Sequence, residues 1–201
     1  MTTPRDLLIA AMEMAPGRPV EQGDLSLALA GAEVIDLLGA QVIGLDGDNI
    51  VPSHRPAPPD GLLGEAAASL VREPPYESVG DWLWRRGRGL SAAYLAVLEA
   101  EGQFTRQGRH GMPFRTRRTV LTDSPDRRRA AERWTSDEPV LVALAEAVGI
   151  RDRQTGESPG VDDDVVVTVL AAVSDALMEL EAVRQRRAIE GAAFDNIWRG
   201  G

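Results

Sequence analysis

The stretch over residues 24–39, DLSLALAGAEVIDLLG, restricts the fold more than any other part of the chain. Leu25, Leu27, Leu29, Val34, Ile35, Leu37 and Leu38 spread round most of a helical circumference, interrupted only by Ser26, Glu33 and Asp36. A helix apolar on nearly every side is stable only when other elements surround it, so a bundle must form about this one. It is too short, and holds too many carboxylates, for a bilayer span of about 20 apolar residues. Asp24 is suited to cap its start and Gly39 to take a left-handed exit. The period then becomes alternating, with short strands over residues 41–45 and 49–51 about Asp46-Gly47, a hairpin signal.

Helical periods dominate the rest. Thr3-Pro4-x-Asp6 reads as N-cap, proline and first-turn acid for a helix whose Leu7, Leu8, Ala11 and Met12 form one face, ending at Pro16-Gly17. Leu62, Leu63, Ala66, Ala67, Leu70 and Val71 form another, stopped by Pro74-Pro75. Ser78-x-x-Asp81 resembles a capping box opening a helix with Trp82, Leu83 and Trp84, and residues 90–101 form the next. Ser124-Pro125 opens one through Trp134. Ser136-Asp137 opens another with Val140, Leu141, Leu144 and Val148 on one face, and the longest runs from Val165 to about Arg187. Between these, residues 103–107, the tip Gly108-Arg109-His110-Gly111 and residues 112–117 read as a second, strongly basic hairpin. The expected fold is mainly α: a single-domain helical bundle over residues 3–190 with two small surface β-hairpins, and a C-terminal tail over residues 191–201. Leu29, Ile35, Leu38, Leu144, Val166, Val169 and Leu170 are its expected core.

A chain of 201 residues is long enough for one well-buried core. It has no cysteine, which removes disulfides, thiolate metal sites and cysteine nucleophiles. Asp6 and the lack of a long uncharged run near the start argue against a secretory leader, so a cytoplasmic location is expected. A net charge of −9 argues against nucleic-acid binding, which needs a basic face. The charge is uneven, however. Residues 84–118 hold eight arginines against Glu99 and Glu101, a local +6 in a chain whose remainder is −15. That asymmetry points to an anionic partner.

Several chemical motifs weaken under scrutiny. Gly156-Glu157-Ser158-Pro159-Gly160 fits G-x-S-x-G, but Pro159 has no N–H to offer an oxyanion and no strand precedes it. His54 and His110 lack ligand spacing, so no metal site is expected. Glu33 and Asp36 would be the acids of an enzyme, yet a polar seam on the helix accounts for them as well. Asp162, Asp163 and Asp164 suit the positive end of the following helix. Arg85, Arg86 and Arg88 stand at a helix C-terminus, which favours cations by itself. Trp84 beside them adds an indole, and that pairing suits the headgroup layer of an anionic membrane.

The helix containing L-A-G-A-E-V-I-D-L, the two-strand excursion, Leu62-Leu63-Gly64-Glu65-Ala66, Pro74-Pro75 and Ser78-Val79-x-x-Trp82 succeed one another as in the Golgi phosphoprotein 3 family, which this chain resembles from about Pro4 to the last long helix. The resemblance implies a non-enzymatic peripheral membrane protein, without cofactor, that binds phosphatidylinositol 4-phosphate and forms homo-oligomers through a β-hairpin. Here that hairpin is residues 102–118, with Phe104, Arg106, Arg109, Met112, Phe114, Arg115 and Arg117. Of the family's headgroup residues, the tryptophan falls near Glu21, one arginine at Ala30 and another at Ser91, while Arg88 falls on an arginine. The expected site is therefore Arg88 with Arg85, Arg86 and Trp84, facing anionic phospholipid on the inner membrane face. The alternative expectation is a soluble protein-interaction module that oligomerises by its hairpin without lipid.

Overall fold

Helix α2, Gln22–Gly39, lies at the centre of the structure, a computed structural model that describes residues 2–14, 20–56, 61–107, 118–151 and 160–199. Leu27, Ala28, Leu29, Ala30, Ala32, Val34 and Leu37 are all nearly or wholly removed from solvent, as an all-round apolar helix requires. Around it stand α1 (Thr3–Met14), α3 (Gly61–Ala68), α4 (Val79–Arg86), α5 (Leu90–Ala100), α7 (Pro139–Ala147) and α8 (Asp164–Arg199). Helix α6, Pro125–Thr135, packs on α1 and α7 from outside. The fold is mainly α, and each of two antiparallel hairpins roots in the core. β1 (Ile43–Asp46) pairs with β2 (Asn49–Pro52) and buries Ile43 and Ile50; β3 (Phe104–Gln107) pairs with β4 (Arg118–Leu121) and buries Phe104.

Helix α8 reaches α2 so closely that a Cβ on Gly31 would come within 2.3 Å of Val173 Cγ2. Glycine at that crossing lets the two helices meet. Val169, Val173 and Ala176 form the buried spine of α8, at i, i+4 and i+7. Val166 and Leu170, expected in the core, lie on the flank of that spine and are half-buried, as is Leu38 near the end of α2. Leu29, Ile35, Leu144 and Val169 are buried as expected.

Several element ends differ from the sequence reading. Glu21, not Asp24, occupies the N-cap of α2, and Asp24 sits in the first turn, where Arg184 of α8 donates to it at 2.8 and 3.0 Å. The left-handed exit falls on Gln41 (φ 58°) rather than Gly39. Glu138 caps α7 through the amides of Val140 and Leu141, with Pro139 in the first turn, so the helix starts later than Ser136-Asp137. Helix α8 runs on through Arg199, past Arg187, and takes in most of the expected tail.

The second hairpin has another register. Phe104 pairs with Leu121 and Gln107 with Arg118, so the described return strand that faces residues 104–107 is residues 118–121, while residues 112–117 lie outside the described residues. Its reason is burial. Phe104 is inserted in the core and needs an apolar cross-strand neighbour, which Leu121 supplies. Thr122 closes the base, its amide donating to Gln103 O and its hydroxyl to Gly102 O.

Candidate anion-binding groove

The three clustered arginines occupy three different environments. Helix α4 starts at a capping box in which the Asp81 amide donates to Ser78 Oγ and that hydroxyl donates to the Asp81 carboxylate. Eight residues later the chain leaves with Arg85 and Arg86 in the last turn, and the turn of Gly87, Arg88 and Gly89 leads into α5. Gly89, at φ +70°, takes the left-handed conformation that this reversal demands.

Arg86 points inward. Its Nε donates to Glu33 Oε2 at 2.8 Å and its Nη2 to Glu33 Oε1 at 2.9 Å, and Nη2 also donates to Leu62 O at 2.9 Å. Tyr94 donates its hydroxyl to Glu33 Oε1 at 3.0 Å. The Glu33 side chain is wholly buried, so this pair joins α2, α3, α4 and α5 away from water. Burial pushes the Glu33 carboxyl above the usual glutamate range, while the bonds from Arg86 and Tyr94 oppose the rise. Arg85 is more exposed but bidentate to Glu77, at 2.7 Å for both bonds, and its guanidinium carbon lies 5.0 Å from the Trp82 ring centroid. Arg88 is different. It is exposed, and among the described residues no hydrogen bond or ion pair holds its guanidinium.

The expected patch of three arginines is thereby reduced to one free cation at a structured place. Arg88 and half-buried Trp84 border a groove of about 270 Å³, walled by Gln22, Gly23, Ser26 and Leu27 of α2, Gly87 and Gly89, Ser91 and Ala92 of α5, and Leu180 of α8. Two helix N-termini converge on it. Glu21 makes no side-chain bond to the first turn of α2, leaving the amides of Gln22 and Gly23 without a cap from that side chain, whereas in α5 the Leu90 amide donates to Gly87 O and the Ser91 amide to Ser26 Oγ. Positive dipole ends and free amides at such termini favour anions. Within the wall, the Ser26 hydroxyl donates its one proton to Gln22 O at 2.7 Å and its oxygen accepts the Ser91 amide at 3.1 Å, with Ser91 Oγ 2.9 Å away, so both serines are internally satisfied. Gly23 keeps this wall thin, since a Cβ there would touch Arg184 Nη2 and Leu180 Cδ2 at 3.0 Å.

The sequence names Arg88, Trp84 and the start of α5 at Leu90, but misplaces the start of α2. An N-cap at Asp24 rather than Glu21 shifts the first turn of α2 by three residues and hides Gln22 and Gly23. Where the resemblance places the family's other headgroup residues, Glu21 is exposed, Ala30 is buried with its carbonyl accepting from Trp82 Nε1 at 3.3 Å, and Ser91 is in the serine pair. Of the hairpin residues, Phe104 belongs to the core and Arg106 pairs across the ladder with Thr119. Arg109, Met112, Phe114, Arg115 and Arg117 lie outside the described residues, as do His110 and Ser158.

The remaining candidates have structural explanations. Glu33 and Asp36 do not converge, because Asp36 Oδ2 accepts the Thr3 amide at 2.7 Å and so caps α1 from α2. Asp163 accepts the Val165 amide at 2.9 Å and opens α8. His54 is exposed, and among the described residues no group of three or more His, Asp or Glu is placed to hold a metal. No described helix is long and apolar enough to cross a membrane.

A search of curated proteins finds no match. A family model described as Golgi phosphoprotein 3 (GPP34) matches residues 4–189, from α1 into the second half of α8 and including both hairpins. By that match the chain belongs to the Golgi phosphoprotein 3 family.

Proposed function

We propose that this protein is a non-enzymatic adaptor attached peripherally to anionic phospholipid, with Arg88 and the groove beside it as the headgroup contact. The observation that carries this reading is the convergence of an unpaired guanidinium with the start of α2, whose N-cap side chain makes no cap bond, at one half-exposed tryptophan. An arginine contributes on the order of 1 kcal/mol near an anionic surface. A helix N-terminus adds about 0.3–1 kcal/mol toward a negative group. Trp84 suits the interfacial layer, where an amphipathic ring is stable.

One cation gives less selectivity than three would. The serine pair and Ala30 stand where further guanidiniums would bind a phosphate bidentately, so a strong preference for the 4-phosphate is not expected. With the chain at −9 overall, attraction to a membrane is local and decays over roughly 10 Å at ordinary salt. Co-sedimentation with vesicles of phosphatidylcholine containing either phosphatidylserine or phosphatidylinositol 4-phosphate, matched for total charge, tests the reading. Binding to both, weakened by salt, supports it. A failure to sediment with either at low salt and high lipid would reject it and favour the soluble interaction module.

The hairpin over residues 102–118 is proposed as a homo-oligomer contact on the family resemblance. Its stem is fixed by Phe104 and Leu121, which provides a firm base for such a contact.

A further inference from the structure

Helix α8 turns Val169, Val173 and Ala176 into the core, and its opposite side faces solvent. On that side Val167, Ala171, Met178, Ala182, Gln185 and Ile189 are exposed, Met178 to 64 % and Ile189 to 69 %. These positions repeat with a period of eleven. Val167, Ala171 and Ser174 are followed by Met178, Ala182 and Gln185, and Ile189 opens a third round. Eleven residues make three turns at about 3.67 per turn, so the repeat holds one face along a nearly straight helix. At a rise of about 1.5 Å per residue, the stripe from Val167 to Ile189 is roughly 33 Å long. No charged residue falls on it.

The core does not need this face, because α8 is already anchored by the other one. We infer that the stripe is a seam for a second copy of the same chain, with the two α8 helices antiparallel. One register then sets Val167 against Ala182 and Ala171 against Met178 in both directions, with Ser174 near its own counterpart at the two-fold axis. Each large side chain meets an alanine, so the helices approach within the usual 8–10 Å without a clash. The same register carries exposed Asp164, in the first turn of α8, to exposed Arg186 of the second copy, once at each end. Charge complementarity thus selects the antiparallel arrangement. A parallel pair would put Asp164 beside Asp164 and Arg186 beside Arg186, and would set the large residues against one another. The antiparallel register has one unfavourable contact, Asp175 beside the second copy's Asp175.

Because the chain has no cysteine, single introduced cysteines report this register directly, whatever the hairpin does. The full-length Ser174→Cys protein under mild oxidation should give a disulfide-linked dimer, since the bond forms only between close Cα atoms. Val167→Cys should not cross-link to itself but should cross-link when mixed with Ala182→Cys. Adding Met178→Glu to Ser174→Cys should reduce the linked species to background with an unchanged melting curve, because Met178 is a surface residue. Adding Asp175→Asn should increase it. Absence of the Ser174→Cys dimer, or self-cross-linking of Val167→Cys as fast as with Ala182→Cys, would overturn the seam.

Discussion

Replacing Arg86 by alanine should destabilise the protein far more than replacing either neighbouring arginine. The change leaves the Glu33 carboxylate wholly buried, with only the Tyr94 hydroxyl to compensate its charge, and frees Leu62 O as well. Removing one partner of a buried ion pair costs about 3–5 kcal/mol, because the remaining charge keeps its desolvation penalty. For a domain of this size each 1 kcal/mol moves Tm by roughly 2–4 °C, so a fall of the order of 10 °C is expected. Arg85 is 43 % exposed and its pair with Glu77 is screened, which limits its loss to about 0–1 kcal/mol. Urea unfolding of the two single variants, followed by circular dichroism, measures the difference. The double replacement Glu33→Gln with Arg86→Met should recover much of the loss, since the amide still accepts from Tyr94 and no buried charge remains. An Arg86→Ala loss below about 1 kcal/mol, equal to that of Arg85→Ala, would refute the argument that burial distinguishes them.

Three further outcomes follow from the same geometry. Asp6, Glu33 and Asp36 all have carboxyls raised by burial, so the folded protein retains protons that the unfolded chain releases. Their contribution to stability should decline as pH rises from the ordinary 3.8–4.5 range through each raised value. Asp36→Asn, which can still accept the Thr3 amide, should flatten that decline in a urea-midpoint series against pH. Gly31→Ala should lose about 1–3 kcal/mol in chemical denaturation, because Val173 has no room to withdraw. Any gain in helix propensity, at most about 1 kcal/mol, is smaller. Excising residues 108–117 and joining the stem by a short turn should preserve the melting transition and lower the mass in light scattering; an unchanged mass would remove the hairpin from the assembly.

Much of the fold was legible because its signals were local. The all-round apolar face of α2, the Ser124-Pro125 start of α6 and the Ser78 capping box each name an element without tertiary information. The register of the second hairpin was not, because the Gly108 to Gly111 tip fits a tight turn while Phe104 chooses Leu121 by burial. The site divides along the same line. Trp84 and Arg88 are visible as residues, and the fate of Arg86 depends on Glu33, fifty-three positions earlier. Nothing local in R-R-G-R tells which guanidinium enters the core. A buried glutamate on an otherwise apolar helix was the available signal, since such a carboxylate calls for a cation somewhere in the chain.

The most direct test of the account is one low-salt titration of anionic vesicles against wild type, Arg85→Ala and Arg88→Ala, with intrinsic tryptophan fluorescence and co-sedimentation read together. Arg88→Ala should fold as wild type does and lose most of its vesicle binding and of the Trp84 response, while Arg85→Ala should retain both. Equal binding by wild type and Arg88→Ala, or a loss confined to Arg85→Ala, would contradict the assignment of the groove as the headgroup contact.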